Sequence, residues 1–369
     1  MADRHEGQPP AFVPGGGQTI GEACVQASSY LAAHGVGEPR ANAERLLQHV
    51  LGLERAALLR DWRDPFPAER LPEWAALVAR KAAGEPVQYL TGEQWFYGRP
   101  FTVTPAVLIP RPETEILVEA VLEAADRLWP AAEAGPVPTV VDVGTGSGAI
   151  AVTVAAERPA WRVWASDLSA DAIAVALGNA ARHGASARIA FAQGDLLGPF
   201  LRPAGAPEPA ARMNGERGDR EPAGADRPAA SAPDMPGGEA PAGNAAADAG
   251  RAEPLPPSPE GLRIDVLVSN PPYIPAGDIP GLQREVREHE PRLALDGGPD
   301  GLEPYRRMAA QLPLLAVPPR LVGFELGMGQ AGEVAALLRG LGLWDEVRII
   351  RDYAGIERHV LAVAAAARE

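Results

Sequence analysis

Cysteine occurs once in the 369 residues, as Cys24, so the chain can form no internal disulfide and no multi-cysteine metal site. Lysine also occurs once, as Lys81, and arginine supplies nearly all the positive charge. The net charge of −14 is a poor match for wrapping duplex DNA, where phosphate neutralisation drives binding. No apolar run approaches the 18 or so residues of a membrane span. The first residues, MADRHEGQPPAF, lack the basic start and apolar core of a secretory signal. A cytoplasmic protein without membrane contact is expected. The six histidines (5, 34, 49, 183, 289 and 359) show no metal-ligand spacing, and no metal site is expected.

At this length about two domains are expected. Residues 1–18 are rich in Gly and Pro and read as a flexible tail. Thr19 and Glu22 then form a capping-box signature, opening a helix with apolar Ala23, Val25, Ala27, Tyr30 and Leu31. Further helices follow Pro39 and fill 54–61 and 67–82, so 19–83 reads as a small helical domain. In 84–108, β-formers flank Gly98-Arg99-Pro100, which predicts a hairpin linker. Pro112, Glu113 and Glu115 suit the first turn of a longer helix.

From 109 to 369 strands and helices alternate. Strands are expected at 139–143, 162–166, 188–193, 264–268, 321–325, 345–350 and 358–364. Helices are expected at 148–157, 170–183, 302–316 and 328–341. That pattern predicts an α/β fold with a doubly wound, mostly parallel sheet of seven strands. The stretch 201–260 interrupts it with Ala, Pro, Gly and charge, and almost no core-forming residue. It reads as a disordered insertion.

Two stretches carry chemistry. Val140-Val141-Asp142-Val143-Gly144-Thr145-Gly146-Ser147-Gly148 is a strand, a glycine turn and a helix start. Such a turn lets backbone approach a ligand, and a helix N-terminus offers free N–H groups. Asp142 would repel a pyrophosphate but suits a ligand bearing an amine or sulfonium. Asp167 ends the next strand, placed for ribose hydroxyls. Asp195 and Leu196 end the third, where an adenine ring would lie. A nucleoside-bearing cofactor follows.

The second stretch is Ser269-Asn270-Pro271-Pro272-Tyr273, held at a strand's carboxyl end. The Asn270 side-chain oxygen and a carbonyl fixed between prolines are two acceptors suited to a planar NH2 group. The Tyr273 ring is available to cover its face. Glu288 to Gly298 reads equally as a lid or a surface loop, and Glu325 as structural.

These residues resemble class I S-adenosylmethionine-dependent methyltransferases. Asn270 to Tyr273 narrow the resemblance to enzymes that methylate a planar nitrogen. Gly84 to Leu90, Trp95 to Gly98 and Leu108 to Glu115 narrow it to the protein-(glutamine-N5) methyltransferases of class I peptide chain release factors. The resemblance implies S-adenosylmethionine contact by Asp142, Val143, Gly144, Thr145, Gly146, Asp167, Asp195, Leu196 and Asn270. Leu196 is aliphatic where the family often has an aromatic residue. It implies that Asn270, Pro271, Pro272 and Tyr273 hold the substrate glutamine, with Asn270, Pro271 and Tyr273 acting in catalysis. A release factor is then the partner, and nucleic acid is not the substrate. A nucleic-acid adenine-N6 methyltransferase would use the same acceptor logic on another planar amine. A nicotinamide-dependent dehydrogenase would use the glycine turn but leave Asn270 to Tyr273 without a role.

Overall fold

The computed structural model describes residues 11–130, 137–201 and 260–366. The N-terminal part is a helical unit of α1 (Ile20–Ala33), α2 (Pro39–Leu51), α3 (Arg55–Arg60), α4 (Leu71–Ala82) and α5 (Val87–Thr91). Thr19 caps α1, with its side chain accepting from Glu22 N while Glu22 answers at the Thr19 backbone. Leu31, Leu46, Leu47, Leu58, Trp74 and Val78 are buried together at its centre.

Two sequence expectations change here. Residues 11–18 are not loose: Phe12 is buried, 5.1 Å from the Tyr30 ring and 6.4 Å from Trp74. Gln26 donates to the Val13 carbonyl at 2.8 Å. One aromatic anchor outweighs the surrounding Gly and Pro. Residues 87–91 are helical rather than part of a hairpin, and Val87 and Leu90 pack into the helical core. Pro86 before and Gly92 (φ 72°) after are the start and stop marks of a helix. The expected insertion lies, but for its end residues 201 and 260, outside the described residues.

The hairpin itself is β1 (Glu93–Phe96) and β2 (Arg99–Thr102), pairing Phe96 with Arg99. Its two-residue turn is Tyr97-Gly98, both at positive φ, as a type I′ turn requires, so Arg99 and Pro100 belong to the strand. Then come α6 (Pro112–Leu128), β3 (Thr139–Val143), α7 (Ala149–Glu157), β4 (Arg162–Asp167), α8 (Ala170–Arg182), β5 (Ile189–Gln193) and β6 (Val266–Ser269). The chain closes with α9 (Arg284–His289), α10 (Glu303–Gln311), β7 (Leu321–Glu325), α11 (Ala331–Gly340), β8 (Glu346–Arg351) and β9 (Glu357–Val363).

Seven strands form one sheet in the order β5-β4-β3-β6-β7-β9-β8. The first five are parallel, and β9 is antiparallel to both β7 and β8. Side-chain alternation splits the core between two faces. Val140, Val163, Val266, Val268 and Leu361 meet α6 and α7. Val141, Val143, Leu267, Val322 and Val360 meet α10 and α11. The strand order reverses between β3 and β6, and that switch point is where open α/β sheets bind ligands. The Ser269 hydroxyl donates to the Val143 carbonyl at 2.6 Å, fixing the two strand ends side by side.

Candidate active site

A cavity of about 360 Å³ opens at this switch point, within the range of small-ligand sites. The glycine turn forms its floor: Gly144, Thr145, Gly146 and Ser147 all line it. Gly144 (φ 72°), Gly146 (φ 54°) and Gly148 (φ 80°) bend the chain in the left-handed region from β3 into α7, a path a side chain would strain. The turn is braced from behind by Asn179, wholly buried. Its amide donates to the Ser147 carbonyl at 2.8 Å and the Thr102 carbonyl at 2.9 Å, while its oxygen accepts from Thr102 N at 2.8 Å.

Asp167 lines the same cavity, with Oδ2 accepting from Gly146 N and Oδ1 from Ser169 N, each at 2.9 Å. A carboxylate has about four acceptor positions, so these bonds do not exhaust its capacity to accept from a ligand. Burial pushes Asp167 above the usual carboxylate range, against those N–H bonds. A second space of about 310 Å³ continues the cleft along Val143, Gly144, Asp167, Asp195, Leu196 and Pro272. Leu196 holds φ 50°, a strained backbone for a branched side chain, at this rim. Asp195 is half exposed and ion-paired with Arg307.

Asp142 departs from its expected place. It is completely buried and absent from the cavity wall. Its Oδ2 accepts from the Thr145 hydroxyl at 2.6 Å and Ala151 N at 3.2 Å, and Oδ1 has no partner among the described residues. The residue pins the turn to the start of α7 from beneath. Burial raises its pKa to about 7.

Asn270 and Pro272 line the cavity opposite the glycine turn, while Pro271 is buried and does not line it. The Asn270 Nδ2 donates to Thr114 Oγ1 at 3.2 Å, and its Oδ1 has no partner among the described residues. Tyr273 is placed differently from the expectation. Its ring packs with the α10 and α11 face and lines a separate depression with Met328 and Arg358. Gln330 donates to its carbonyl at 2.9 Å, and Gly301 (φ 78°) leaves room where a Cβ would sit 2.2 Å from that oxygen. The acceptor loop is therefore turned so that Asn270 faces the cleft and Tyr273 faces away.

The remaining walls come from stretches that the sequence reading tied only to the resemblance, and from Glu288 to Gly298, which it left as lid or surface loop. Phe96 of the hairpin, Ala106 to Leu108, Arg111 and Thr114 form one side. Pro291, Leu293 and Ala294 cover the top. This cover is anchored twice: Arg111 pairs with buried Glu290, and buried Lys81 of α4 pairs with Glu285 of α9. Tyr89 donates to the Val107 carbonyl at 2.6 Å and steadies the wall below. Only Thr114 and Arg111, in and just before the first turn of α6, carried a local signal, a threonine among acids where a buried face begins.

A seven-stranded sheet with this topology, a glycine turn and an acid at successive strand ends define a class I methyltransferase. Residues 140–204 match the family model described as a methyltransferase domain, and 22–92 match the PrmC N-terminal domain. The release factor glutamine methyltransferase of Moorella thermoacetica is 39% identical over 345 residues, covering 93% of this chain and 98% of that protein. That of Chlorobaculum tepidum is 37% identical over 339 residues, covering 91% and 94%. That of Bacillus anthracis is 35% identical over 342 residues, covering 92% and 98%. The chain belongs to the release factor glutamine methyltransferase family.

Proposed function

We propose that the protein uses S-adenosylmethionine to methylate the side-chain nitrogen of the glutamine in the Gly-Gly-Gln loop of class I peptide chain release factors. The observation that carries this reading is Asn270, which lines the cleft opposite the glycine turn and whose side-chain oxygen is buried without a partner among the described residues. Family membership supplies the acceptor. The cofactor, when bound, supplies an electrophilic methyl group on a sulfonium. Gly144 to Gly146 and Asp167 would hold it, with Asp195 and Leu196 lining the adjoining rim.

An amide nitrogen is a weak nucleophile because its lone pair is delocalised. Asn270 Oδ1 accepts one of its N–H bonds, aims the nitrogen and stabilises the positive charge that grows on it. Alignment of this kind is worth up to about 7–11 kcal/mol. The proton leaves to water. As an enzyme acting on release factors, the protein works in the cytoplasm.

A glutamine in a glycine-rich loop can enter a cleft this narrow because the two glycines before it have no side chains. A duplex base would have to be flipped out, and its phosphates would need compensating positive charge from a chain whose net charge is −14. Mass spectrometry of a release factor after incubation with enzyme and S-adenosylmethionine should find one added methyl on the Gly-Gly-Gln glutamine. None should appear after Gln→Ala in the substrate, and none on DNA. Methylated DNA beside an unmodified release factor overturns the reading.

A further inference from the structure

The Asn270 carboxamide can sit in its site in two ways that differ only by exchange of oxygen and nitrogen. Shape does not distinguish them; the hydrogen-bond network does. The amide must turn its oxygen to the cleft, because a planar NH2 substrate brings only donors. The reverse orientation would set NH2 against NH2.

The network behind Asn270 runs inward through two residues. Its Nδ2 donates to Thr114 Oγ1 at 3.2 Å, and the Thr114 hydroxyl donates to Glu325 Oε2 at 2.6 Å. Thr114 and Glu325 are both buried, and Glu325 lies at the end of β7. A threonine hydroxyl carries a single hydrogen. An ionised carboxylate only accepts, so it takes that hydrogen and leaves Thr114 with nothing to donate to Asn270. Thr114 must then accept, and the only donor Asn270 can offer is its NH2. The oxygen is left on the side away from Thr114, free of a partner among the described residues.

We propose that Glu325 is a positioning residue for methyl transfer: acting through Thr114, it fixes the Asn270 amide with its oxygen toward the acceptor nitrogen. The proposal deepens the function proposed above and rests on that reading. Glu325 touches neither substrate nor cofactor, and its contribution is the order of hydrogen bonds.

Protonation removes that order. A neutral carboxyl can donate to Thr114 Oγ1, which frees the threonine hydrogen to point at Asn270 and lets the amide reverse. Burial raises Glu325 to about 7, with Glu113 pushing it further up and Arg358 and Arg111 pulling it down. The Thr114 bond also favours its charged form. His359, its register partner on β9, lies 4.0 Å away and is lowered to about 4, so it is neutral in this range. Tyr273, from the acceptor loop, and Tyr305, from α10, are pushed up by burial and stay protonated, and Tyr305 donates to the Glu325 carbonyl rather than its carboxylate. Methyl transfer should therefore rise with pH through the Glu325 titration.

Asp142 titrates in the same range beneath the cofactor turn, so a pH profile alone does not assign the group. A double-mutant cycle does. Thr114→Val keeps the shape and deletes the relay; Glu325→Gln keeps the shape and deletes the bias. Thr114→Val should lower kcat about ten-fold or more, and Thr114→Ser should restore most of that loss. Glu325→Gln should lower kcat several-fold and remove the rise with pH assigned to Glu325. The double variant should be no worse than Thr114→Val alone. KM for the release factor and cofactor affinity should stay within a few-fold throughout, which also reports intact folding. Additive losses, an unchanged profile in Glu325→Gln, or Thr114→Ser no better than Thr114→Val would overturn the proposal. If the wild type leaves the release factor unmodified, it is the function reading that has failed. The relay is then decided by the side-chain amide resonances of Asn270, assigned by their loss in Asn270→Ala. They should form one set at high pH and broaden or split below the Glu325 titration, and pH-independent resonances would overturn it.

Discussion

Replacing Asp142 by Asn removes a titrating charge from beneath the glycine turn while keeping the side chain's shape. The Thr145 hydroxyl and Ala151 N–H that now meet Oδ2 can meet the Asn oxygen equally well. In the wild type, burial lifts the pKa from 3.8 to about 7. The folded state therefore holds this proton more tightly than the unfolded chain does. The associated stability is fully present below the unfolded pKa and is lost as pH rises through the folded one. Integrated between pH 5 and pH 8, the loss is about 2.5 kcal/mol. Asp142→Asn has no such proton to lose. Urea unfolding of both proteins without cofactor, at intervals from pH 5 to 8, should show the wild type falling relative to the variant by about that amount. Glu325 titrates in both proteins and cancels in the difference. Parallel pH dependences would refute the assignment of a buried, half-partnered carboxyl to Asp142.

Two further outcomes follow from the cleft and the chain path. Asp167→Ala should weaken S-adenosylmethionine binding about ten-fold or more, since each charge-assisted bond contributes roughly 1.5–3 kcal/mol; unchanged affinity by calorimetry rejects Asp167 as a ribose acceptor. Gly261 N donates to the Phe200 carbonyl at 3.2 Å, so the ends of the 202–259 segment are held together by residues of the fold itself. Replacing that segment with a short Gly/Ser linker should leave activity nearly intact and stability unchanged or raised, by up to about 2 kcal/mol for a ten-fold shorter loop. A large drop in melting temperature would show that the segment packs.

The parts of the fold legible in the sequence were those written locally. The Thr19–Glu22 capping box, the alternation of strands with helices, and the glycine turn each place their signal within a few residues of the structure they make. Asp142 illustrates a signal that was present and read too simply. Val141 and Val143 face α10 and α11, so by the two-residue period Asp142 faces α7 and not the ligand. The stretch 87–91 was ambiguous because Val, Tyr and Thr suit a strand, while the flanking Pro86 and Gly92 suit a helix. Tyr273 turns away through contacts with Gly301 and Gln330, which lie far along the chain. Nothing local in the sequence joined Thr114 to Glu325 in a relay behind Asn270, since the two are 211 residues apart.

That separation sets an order of events as the chain emerges from the ribosome. Thr114 is made first, Asn270 follows 156 residues later, and Glu325 comes after both. The strand that carries Glu325 is itself completed by β9, which inserts between β7 and β8 although it is the last strand of the described chain. Contacts so distant in sequence form late, because the entropy of closing the intervening loops must be met before they contribute. A nascent chain that has emerged only as far as β6 already contains the glycine turn, Asp167 and Asn270, but not the carboxylate that orients the amide. Competence to recognise an acceptor is thus the final property the growing polypeptide acquires.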